Sequence, residues 1–383
     1  MDILLTEAER RTRDQVRAIV DGRIMPRSGE LDETTEIAWD VAAMLAREGI
    51  IGLVIPAAYG GAESELSASK ICLAREEIAR GSANIDLLFV MQGLGSYPIV
   101  AAGSEEQKRR FLPPIARAEK LAAYALTEPN AGSDLSMIET TAQHRGDTYV
   151  LNGSKIYISN AGVASTYTVF ASTDRSAGTR GLSAFIVEAD TPGFRVVQQF
   201  DLMAPHCIGE LEFRDCAIPA ANLLGAPGEG FKIAMRTFDV YRPSVGAAAI
   251  GMGQAALEEA VRHASTRVQF GKALIENQAI QFKIADMAME LDAARMLVLR
   301  AARMRDAGAP QVAKEASMAK LFATEAASRA IDESVQIHGG AGVRRGTRVE
   351  RLYRQIRALR IYEGASEIQR LIIARHVRKE LGG

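Results

Sequence analysis

The segment YVLNGSKIYIS, residues 149–159, differs in character from the helical sequence on either side of it. It contains two β-prone runs joined by Asn152-Gly153, and Asn-Gly between two such runs is a strong signal for a β-hairpin. Further strand-like runs follow with turn residues between them: TVFAST, GLSAFIVEA and ELEFRDCAIP. We therefore predict a small antiparallel β domain over residues 121–225.

The residues before this β domain have a helical period. Ile37, Val41 and Leu45 recur at every fourth position, and Ser104 stands where the N-cap of another helix is expected. The prolines in the segment that follows Ser104 are expected to stop that helix. Residues 1–120 are therefore predicted to form an N-terminal helical domain.

The helical period returns at about residue 226 and persists to residue 383. A helix that buries one face in a bundle explains one set of apolar residues spaced 4-3-4-3-4: Ile280, Ile284, Met287, Leu291, Ala294 and Val298. We predict a C-terminal helical domain over residues 226–383. The fold class is thus mainly α with a central β domain.

The overall composition excludes several classes of protein. The chain has 383 residues, of which 48% are hydrophobic and 24% charged, and its net charge is −1. Such a weak net charge favours neither nucleic acid nor an anionic membrane as a partner, and no apolar run approaches the ~18 residues of a membrane span. The N-terminal residues have the features of neither a signal peptide nor a transit peptide, so we expect a cytoplasmic protein.

The residues that commonly bind metals or nucleotides show no familiar pattern. Cys72, Cys207 and Cys216 have no metal-ligand spacing, their odd number argues against a disulfide framework, and the histidines are scattered. We therefore predict no metal site. The segment HGGAGVRRG (338–346) lacks GxGxxG spacing, and a Walker A loop is absent. A nucleotide cofactor would need a scaffold of another type.

A carboxylate near the C-terminus raises a question about chemistry. In IYEGASEIQR (361–370), Glu363 and Gly364 come just before a predicted helix whose Ser366 and Gln369 are spaced as a capping box. Most loop glutamates are simply solvated. A glutamate beside a glycine hinge is also a candidate for a catalytic base, and the segment alone leaves both possibilities open.

Five motifs in the same order give the chain a specific resemblance. They are AYALTEPNAGSD (123–134), LNGSKIYISNAG (151–162), RVQFGKALIENQAIQ (267–281), QIHGGAGVRRG (336–346) and IYEGASEIQR. In this respect the chain resembles the acyl-CoA dehydrogenase family over essentially its whole length. The resemblance implies that the β domain is a barrel or sandwich and that the C-terminal domain is a four-helix bundle.

The resemblance also implies a reaction. Members of the family use FAD to introduce an α,β double bond into an acyl-CoA thioester, giving a 2-enoyl-CoA. Glu363 matches the catalytic base that takes the α-proton, while the β-hydrogen leaves as hydride to flavin N5. Some relatives carry the base at a position that matches Tyr241, which is not a carboxylate. Glu363 is therefore the expected base, and its backbone N–H is an expected donor to the thioester carbonyl.

The motifs imply which residues bind FAD and substrate. The flavin ring is expected against Leu126, Thr127, Gly132, Ser133, Tyr157, Ile158 and Ser159. The pyrophosphate and adenosine end is expected across a subunit interface, against Arg267, Phe270, Gln278 and Gln336 through Gly340, including Gly339. Ala365 and Glu367 stand at further FAD-contact positions. Substrate contacts are expected at Ser133, Phe89, Asp239, Tyr241, Arg242 and Gly364.

Several residues depart from the family pattern. Tyr157 replaces a tryptophan that is common beside the flavin, and Asn130 replaces a glycine. Ala365 and Glu367 replace a threonine and a glutamine that contact FAD in relatives, so two side-chain hydrogen bonds are in doubt. The segment between Ile85 and Gly103 contains no arginine or lysine, which disfavours a dicarboxylyl substrate. We expect a substrate with a short, branched or alicyclic acyl chain. A straight chain of medium length is the alternative.

The resemblance implies partners and leaves alternatives. An electron-transferring flavoprotein is the expected electron acceptor, in acyl-CoA catabolism such as β-oxidation. A flavin site split between subunits implies at least a dimer, and a homotetramer is common in the family. Two alternatives keep the fold: a dehydrogenase of a carrier-protein-bound acyl group, and an acyl-CoA oxidase that uses O2. An alternative of another class is a non-catalytic helical interaction protein.

Overall fold

A computed structural model describes residues 2–382 of the chain. Helices make up most of it, and they occupy both the N-terminal and the C-terminal parts. Their bounds are α1 Glu7–Ile19, α2 Ser28–Leu31, α3 Trp39–Arg47, α4 Ala68–Gly81, α5 Ala83–Ala102, α6 Glu105–Ala116, α7 Gly230–Thr266, α8 Gln278–Asp306, α9 Ala313–His338, α10 Arg348–Leu359 and α11 Ser366–Glu380.

The strands lie between α6 and α7, with one short hairpin between α7 and α8. Their bounds are β1 Ala122–Ala125, β2 Thr141–Arg145, β3 Thr148–Ser159, β4 Thr166–Ser172, β5 Leu182–Glu188, β6 Phe194–Gln199, β7 Ile208–Pro219, β8 Leu223–Leu224, β9 Val268–Gln269 and β10 Lys272–Ala273. The prediction of a mainly α fold with a central β domain is confirmed.

The first eight strands form a single sheet. Its order is β6-β7-β3-β2-β4-β5-β8, and β1 pairs with β4 at the side of this path. The pairings are antiparallel except for β1 with β4 and β2 with β4, which are parallel. Aromatic and branched residues on the inner face, including Tyr167, Phe185 and Phe213, form the core of the sheet.

The hairpin predicted at Asn152-Gly153 is wrong. These residues lie inside the continuous strand β3, where the pairing with β7 shifts register between Leu151 and Gly153. Gly153 has φ +148°, and an added Cβ would lie 2.5 Å from Thr140 Oγ1, so a bulge with close backbone approach explains the glycine. The actual hairpin turn between β2 and β3 is Gly146-Asp147.

The chain forms two compact units. The first comprises the chain up to Thr34, Ser67–Asp86 and the chain from Asp239 onward; the second comprises Thr35–Leu66 and Leu87–Phe238. The sheet belongs to the second unit, together with α3, α6 and most of α5. The sequence-based division into three consecutive segments does not contain this interleaving.

The first unit is built on α7, α8 and α9. The predicted apolar seam of α8 is confirmed, because Met287, Leu291, Ala294 and Val298 are all buried. They pack into cores that are rich in alanine, which lets the helices approach closely. Gly246 of α7 is one such contact, since an added Cβ would lie 2.9 Å from Val298.

The helix ends agree only partly with prediction. Ser104 caps α6 as predicted, in a capping box with Gln107, but the two prolines lie inside α6 and the helix ends two residues later. The capping box predicted at Ser366 is wrong, because Ala365 holds the N-cap position of α11. Ser366 is the first helical residue, and its Oγ donates instead to Glu325 Oε1 at 2.8 Å.

Helix α5 is largely apolar, with Asp86 as its one charged residue. In the part of the chain that the structure describes, it is the one helix long and apolar enough to cross a membrane, but 78% of the relevant window is buried inside the fold. The core helix of a soluble protein meets the same criterion, so the helix is weak evidence for a membrane span. Gln92 on this helix hydrogen-bonds the N–H of Ala122 in β1, which ties it to the sheet.

Candidate active site

The loop between α10 and α11 has an unusual backbone at its centre. Glu363 has φ +52° and Gly364 has φ +92°, so two successive residues are left-handed. For a residue with a Cβ this conformation costs roughly 1–2 kcal/mol, and it persists only where surrounding contacts hold it. An added Cβ at Gly364 would lie 2.5 Å from Gln369 Nε2, so only glycine fits here without displacing that amide.

Three buried side chains hold the carbonyls of this loop. Arg242 Nε donates to the Glu363 carbonyl at 3.2 Å, and Lys320 Nζ donates to the Gly364 carbonyl at 2.8 Å. Gln369 Nε2 donates to both carbonyls, at 3.3 and 2.8 Å. These donors come from α7, α9 and α11, so three helices fix the backbone that carries Glu363.

The carboxyl group of Glu363 is left without a partner on one side. Its Oε2 atom is buried, and no residue in the range 2–382 hydrogen-bonds it. Burial raises the pKa of the Glu363 carboxyl above its ordinary value. The charges of Arg75, Arg242 and Lys320 act in the opposite direction, and Asp86 adds to the increase. A desolvated carboxylate with one unpartnered oxygen is a stronger base than a solvated one.

Arg75 forms a buried network beside this loop. It donates to both carboxylate oxygens of Asp86, at 2.9 and 2.6 Å, and to Ser244 Oγ at 3.0 Å. The positive charge of Arg75 also acts on the Tyr362 side chain, whose pKa is raised by burial. Sequence patterns did not predict this network, because single charged residues on α4 and α5 form no motif with IYEG.

The substrate-side residues on α7 are all at least partly buried. Tyr241 is fully buried, as is Phe89 on α5. Burial raises the pKa of Asp239, and the charges of Arg242 and Arg305 oppose that increase. Arg242 was predicted as a substrate contact. Its hydrogen bond to the Glu363 carbonyl gives Arg242 a second role in the site, and this role could not be predicted from residue spacing along α7.

A buried ion pair supports the first motif. Lys155 Nζ donates to Glu128 Oε1 at 2.7 Å and to the Leu126 carbonyl at 3.0 Å. Burial lowers the pKa of Lys155 to about 8, although the negative charge of Glu128 raises it. Glu128 also accepts the N–H groups of Glu139 and Thr140. The segment around Leu126 and Thr127 is therefore held by charge as well as by backbone hydrogen bonds.

The predicted ring-side residues differ in what they expose. Tyr157 has φ +57°, its side chain is 58% exposed, and its ring lies 5.3 Å from that of Phe200. Thr127 and Ser159 are partly exposed, and Gly132 and Ser133 are exposed. The side chains of Leu126 and Ile158 are buried, so a ligand beside them would meet mainly their backbone.

The predicted residues of the third and fourth motifs are exposed. Phe270 forms the tip of the β9–β10 hairpin with Gly271; it has φ +52° and is 100% exposed. The others in this exposed set are Arg267, Gln278, Gln336, Gly339 and Gly340. In the last motif, Ala365 is partly exposed at the N-cap of α11, and Glu367 is exposed in its first turn.

These residues fit FAD by their chemistry. An exposed tyrosine ring offers a stacking surface for a flavin, and an exposed arginine offers a planar charged fork for a pyrophosphate. At Gly132, Gly339 and Gly340 an added Cβ would meet no atom within 4 Å, so the backbone is open to a ligand. No cluster of three or more metal-ligating side chains occurs within residues 2–382.

Comparison with known proteins gives the same assignment along the whole chain. The acyl-CoA dehydrogenase N-terminal, middle and C-terminal domain models match residues 6–119, 123–216 and 228–378. An acyl-CoA dehydrogenase of Bacillus subtilis (strain 168) is 42% identical over 382 residues, covering 99% of both chains.

Two further relatives carry substrate names. The cyclohexane-1-carbonyl-CoA dehydrogenase of Geobacter metallireducens is 40% identical over 377 residues, covering 98% of each chain. The solved structure of butyryl-CoA dehydrogenase from Megasphaera elsdenii superposes with a TM-score of 0.93 at 39% identity, covering 98% of this chain and all of that one. The chain therefore belongs to the acyl-CoA dehydrogenase family of FAD-dependent oxidoreductases.

Proposed function

We propose that this enzyme removes the α-proton and the β-hydride of an acyl-CoA to give a 2-enoyl-CoA, with Glu363 as the base. The observation that carries the proposal is the carboxyl group of Glu363, whose buried Oε2 has no hydrogen-bond partner within residues 2–382 while three side chains fix its backbone. A surface carboxylate would have neither feature.

The residues of the chain have distinct tasks in this proposal. Glu363 accepts the α-proton through its carboxylate, and its backbone N–H donates to the thioester carbonyl, where negative charge develops. Arg242, Lys320 and Gln369 keep both groups in place through the two loop carbonyls. FAD, when bound by the residues of the ring-side and exposed motifs, supplies the hydride acceptor.

The proposed substrate carries a short, branched or alicyclic acyl chain without a distal charge. The buried guanidinium of Arg75 already has a bidentate partner in Asp86, so it has no free charge to offer a distal carboxylate. Phe89 and Tyr241, the two large residues expected at substrate positions, are each fully buried. The names of the relatives that act on butyryl-CoA and cyclohexane-1-carbonyl-CoA support this range.

An anaerobic titration tests the reaction. The purified protein with bound FAD is mixed with a panel of acyl-CoAs, and bleaching of the flavin absorption band is followed. We expect bleaching with short, branched or alicyclic acyl-CoAs and little with glutaryl-CoA. Glu363→Gln should keep FAD and lose bleaching, whereas Glu380→Gln, at the exposed end of α11, should behave as the wild type. Undiminished turnover by Glu363→Gln would overturn the proposal.

We further propose an electron-transferring flavoprotein as the physiological acceptor, because reduced FAD must be reoxidised after each turnover. Slow reoxidation of the bleached enzyme in air, accelerated by such a flavoprotein, would support this. Fast reoxidation in air would instead favour the oxidase. Bleaching by an acyl group on a carrier protein, but not by the matching acyl-CoA, would favour the carrier-protein alternative.

We propose that the enzyme acts as a homotetramer in the cytoplasm. Large apolar side chains near the third motif are exposed in the single chain: Val268, Phe270, Phe282 and Met289. We propose that a partner subunit covers these side chains. Light scattering after size-exclusion chromatography tests the assembly, and a monomer that retains FAD would contradict it. Cell fractionation tests the location. The three cysteines are free and buried, which is compatible with a reducing compartment such as the cytoplasm.

A further inference from the structure

Lys320 is a buried lysine, and within residues 2–382 its side chain donates one hydrogen bond, to a backbone carbonyl. It lies in the first third of α9, is 0% exposed, and donates from Nζ to the Gly364 carbonyl at 2.8 Å. Lysine is almost never fully buried unless it is paired or has a functional role. A neutral donor could hold a carbonyl equally well, so the charge needs its own explanation.

The charged groups around Lys320 come from four parts of the first unit. Glu363 faces it from the loop, Glu367 from α11 and Arg242 from α7, while Glu325 lies one turn along α9. Of the carboxylates, Glu325 has partners in Arg360 and Ser366. Glu363 is the one with a buried, unpartnered oxygen. Glu363 is therefore the carboxylate whose ionised form depends most on the positive charge of Lys320.

We propose that Lys320 is a positioning residue, which fixes the left-handed loop through Gly364 and keeps Glu363 ionised and ready to accept a proton. This inference rests on the proposed function, because it requires Glu363 to be the base. The hydrogen bond determines where the carboxylate points. The charge of Lys320 acts in the same direction as those of Arg75 and Arg242 and against that of Asp86: it favours the ionised carboxylate in a site where burial disfavours it.

The effect of the buried charge on folding distinguishes the proposed positioning role of Lys320 from a purely structural role. Burial lowers the pKa of Lys320 to about 8, although Glu363 opposes the decrease. The folded-state pKa is thus below the unfolded-state value, so the ionised lysine opposes folding at neutral pH, and that opposition fades as the pH rises above about 8. A neutral side chain would fold at least as well, and catalysis is the reason to keep the charge.

Two neutral variants test the proposal in the FAD-loaded enzyme. Lys320→Met removes the charge and the donor, whereas Lys320→Gln removes the charge and keeps a donor. We expect kcat to fall about tenfold or more in the methionine variant and less in the glutamine variant, since small misplacements of a reacting group are costly. KM should change less than kcat, and thermal stability should hold or increase.

The pH dependence of kcat distinguishes the two roles, because replacing a purely structural lysine would leave it unchanged. In both variants the acid limb of kcat should shift upward by about one pH unit, because the positive charge that favours ionised Glu363 is gone. Ser334→Ala is the matched control: Ser334 is on the same helix, is 0% exposed, and donates to the Ala256 carbonyl at 2.7 Å. Its profile should stay that of the wild type.

The results for Lys320→Gln and Glu363→Gln together decide whether this inference, or the proposed function as well, is wrong. If Lys320→Gln folds, binds FAD and keeps both the wild-type kcat and the wild-type acid limb, the inference is wrong even if Lys320→Met does not fold. Glu363→Gln is measured in parallel. Its inactivity beside normal Lys320 variants would overturn this inference alone, whereas an active Glu363→Gln would overturn the proposed function and this inference together.

Discussion

Arg75 and Asp86 form a bidentate ion pair in which both side chains are at most 2% exposed. A pair this deeply buried is sensitive to the loss of one partner, because the other charge remains in a medium that solvates it poorly. Its location also matters. The charge of Arg75 acts on both Tyr362 and the proposed base Glu363, so loss of the pair also affects the active-site loop.

Arg75→Met is expected to lower the free energy of unfolding by about 3–5 kcal/mol, because it leaves Asp86 as an uncompensated buried charge. Urea denaturation followed by circular dichroism measures the loss. The double variant Arg75→Met with Asp86→Leu should recover a large part of it. Equal losses in the single and double variants would show that the charge left on Asp86 is not the cause.

Gly364→Ala is expected to reduce kcat by about tenfold or more while FAD stays bound, because the new Cβ would lie 2.5 Å from Gln369 Nε2 and displace the loop. Gly308→Ala is the matched control. Gly308 also has positive φ, at +73°, but no atom lies within 4 Å of an added Cβ. It should lose stability and keep its activity per folded molecule. Similar kcat values for the two variants would contradict the argument.

The pH dependence of kcat/KM should show an acid limb from Glu363. The base must be ionised to take a proton, and burial raises its pKa above the ordinary 4.5. Activity is therefore expected to fall as the pH decreases through an apparent pKa above 4.5. Return to neutral pH should restore the rate, which distinguishes protonation from acid unfolding. An acid limb at or below 4.5 would argue against a desolvated base.

Lys155→Met should destabilise the sheet unit by about 3–5 kcal/mol and weaken FAD binding, because Glu128 would be left buried without its cation. Thermal unfolding and FAD release on gel filtration measure the two effects. Combining it with Glu128→Gln should restore stability more than FAD binding, since the hydrogen bond from Lys155 to the Leu126 carbonyl is still missing. Full restoration of both would show that the Leu126 contact is unimportant.

Tyr157→Trp is expected to tighten FAD binding, since a larger exposed ring adds stacking worth about 0.5–1.5 kcal/mol. The apoprotein is reconstituted with FAD, and the Kd is measured by quenching of flavin fluorescence. Tyr353→Trp, at a tyrosine that is 49% exposed on α10, is the control for an added tryptophan away from the motifs. An unchanged Kd for Tyr157→Trp would mean that the ring at 157 does not stack on the flavin.

Periodicity and local caps were sufficient to predict most of the secondary structure. The spacing of Met287, Leu291 and Val298 identified α8 because burial in a helix bundle repeats on one face of a helix. Asn152-Gly153 misled because the same dipeptide that favours a tight turn also suits a bulge, and only the close approach of Thr140 distinguishes them. The register in which two strands pair depends on tertiary contacts, which a local dipeptide does not encode.

The candidate site was predictable only where a motif carried it. Glu363 and Gly364 were found because their segment is distinctive. Arg75 and Lys320 were missed, since each is one charged residue on a helix far away in sequence, and its role depends on packing. The two units also depend on packing: residues 35–66 belong to the same unit as the sheet through tertiary contacts that the helical period does not encode.

The left-handed backbone at Tyr157, Phe270 and Glu363 has a consequence for laboratory evolution. Within residues 2–382, six non-glycine residues have positive φ; Tyr157, Asn160, Phe270 and Glu363 lie in motif segments, whereas Ala118 and Asp215 do not. Most of this conformational strain therefore lies where ligands are expected. Selection for heat tolerance alone should therefore recover glycine or asparagine at Tyr157, Phe270 and Glu363, because either residue relaxes the strain. Such survivors would be robust and poorly active, which makes a dual screen for survival and turnover necessary when this scaffold is engineered.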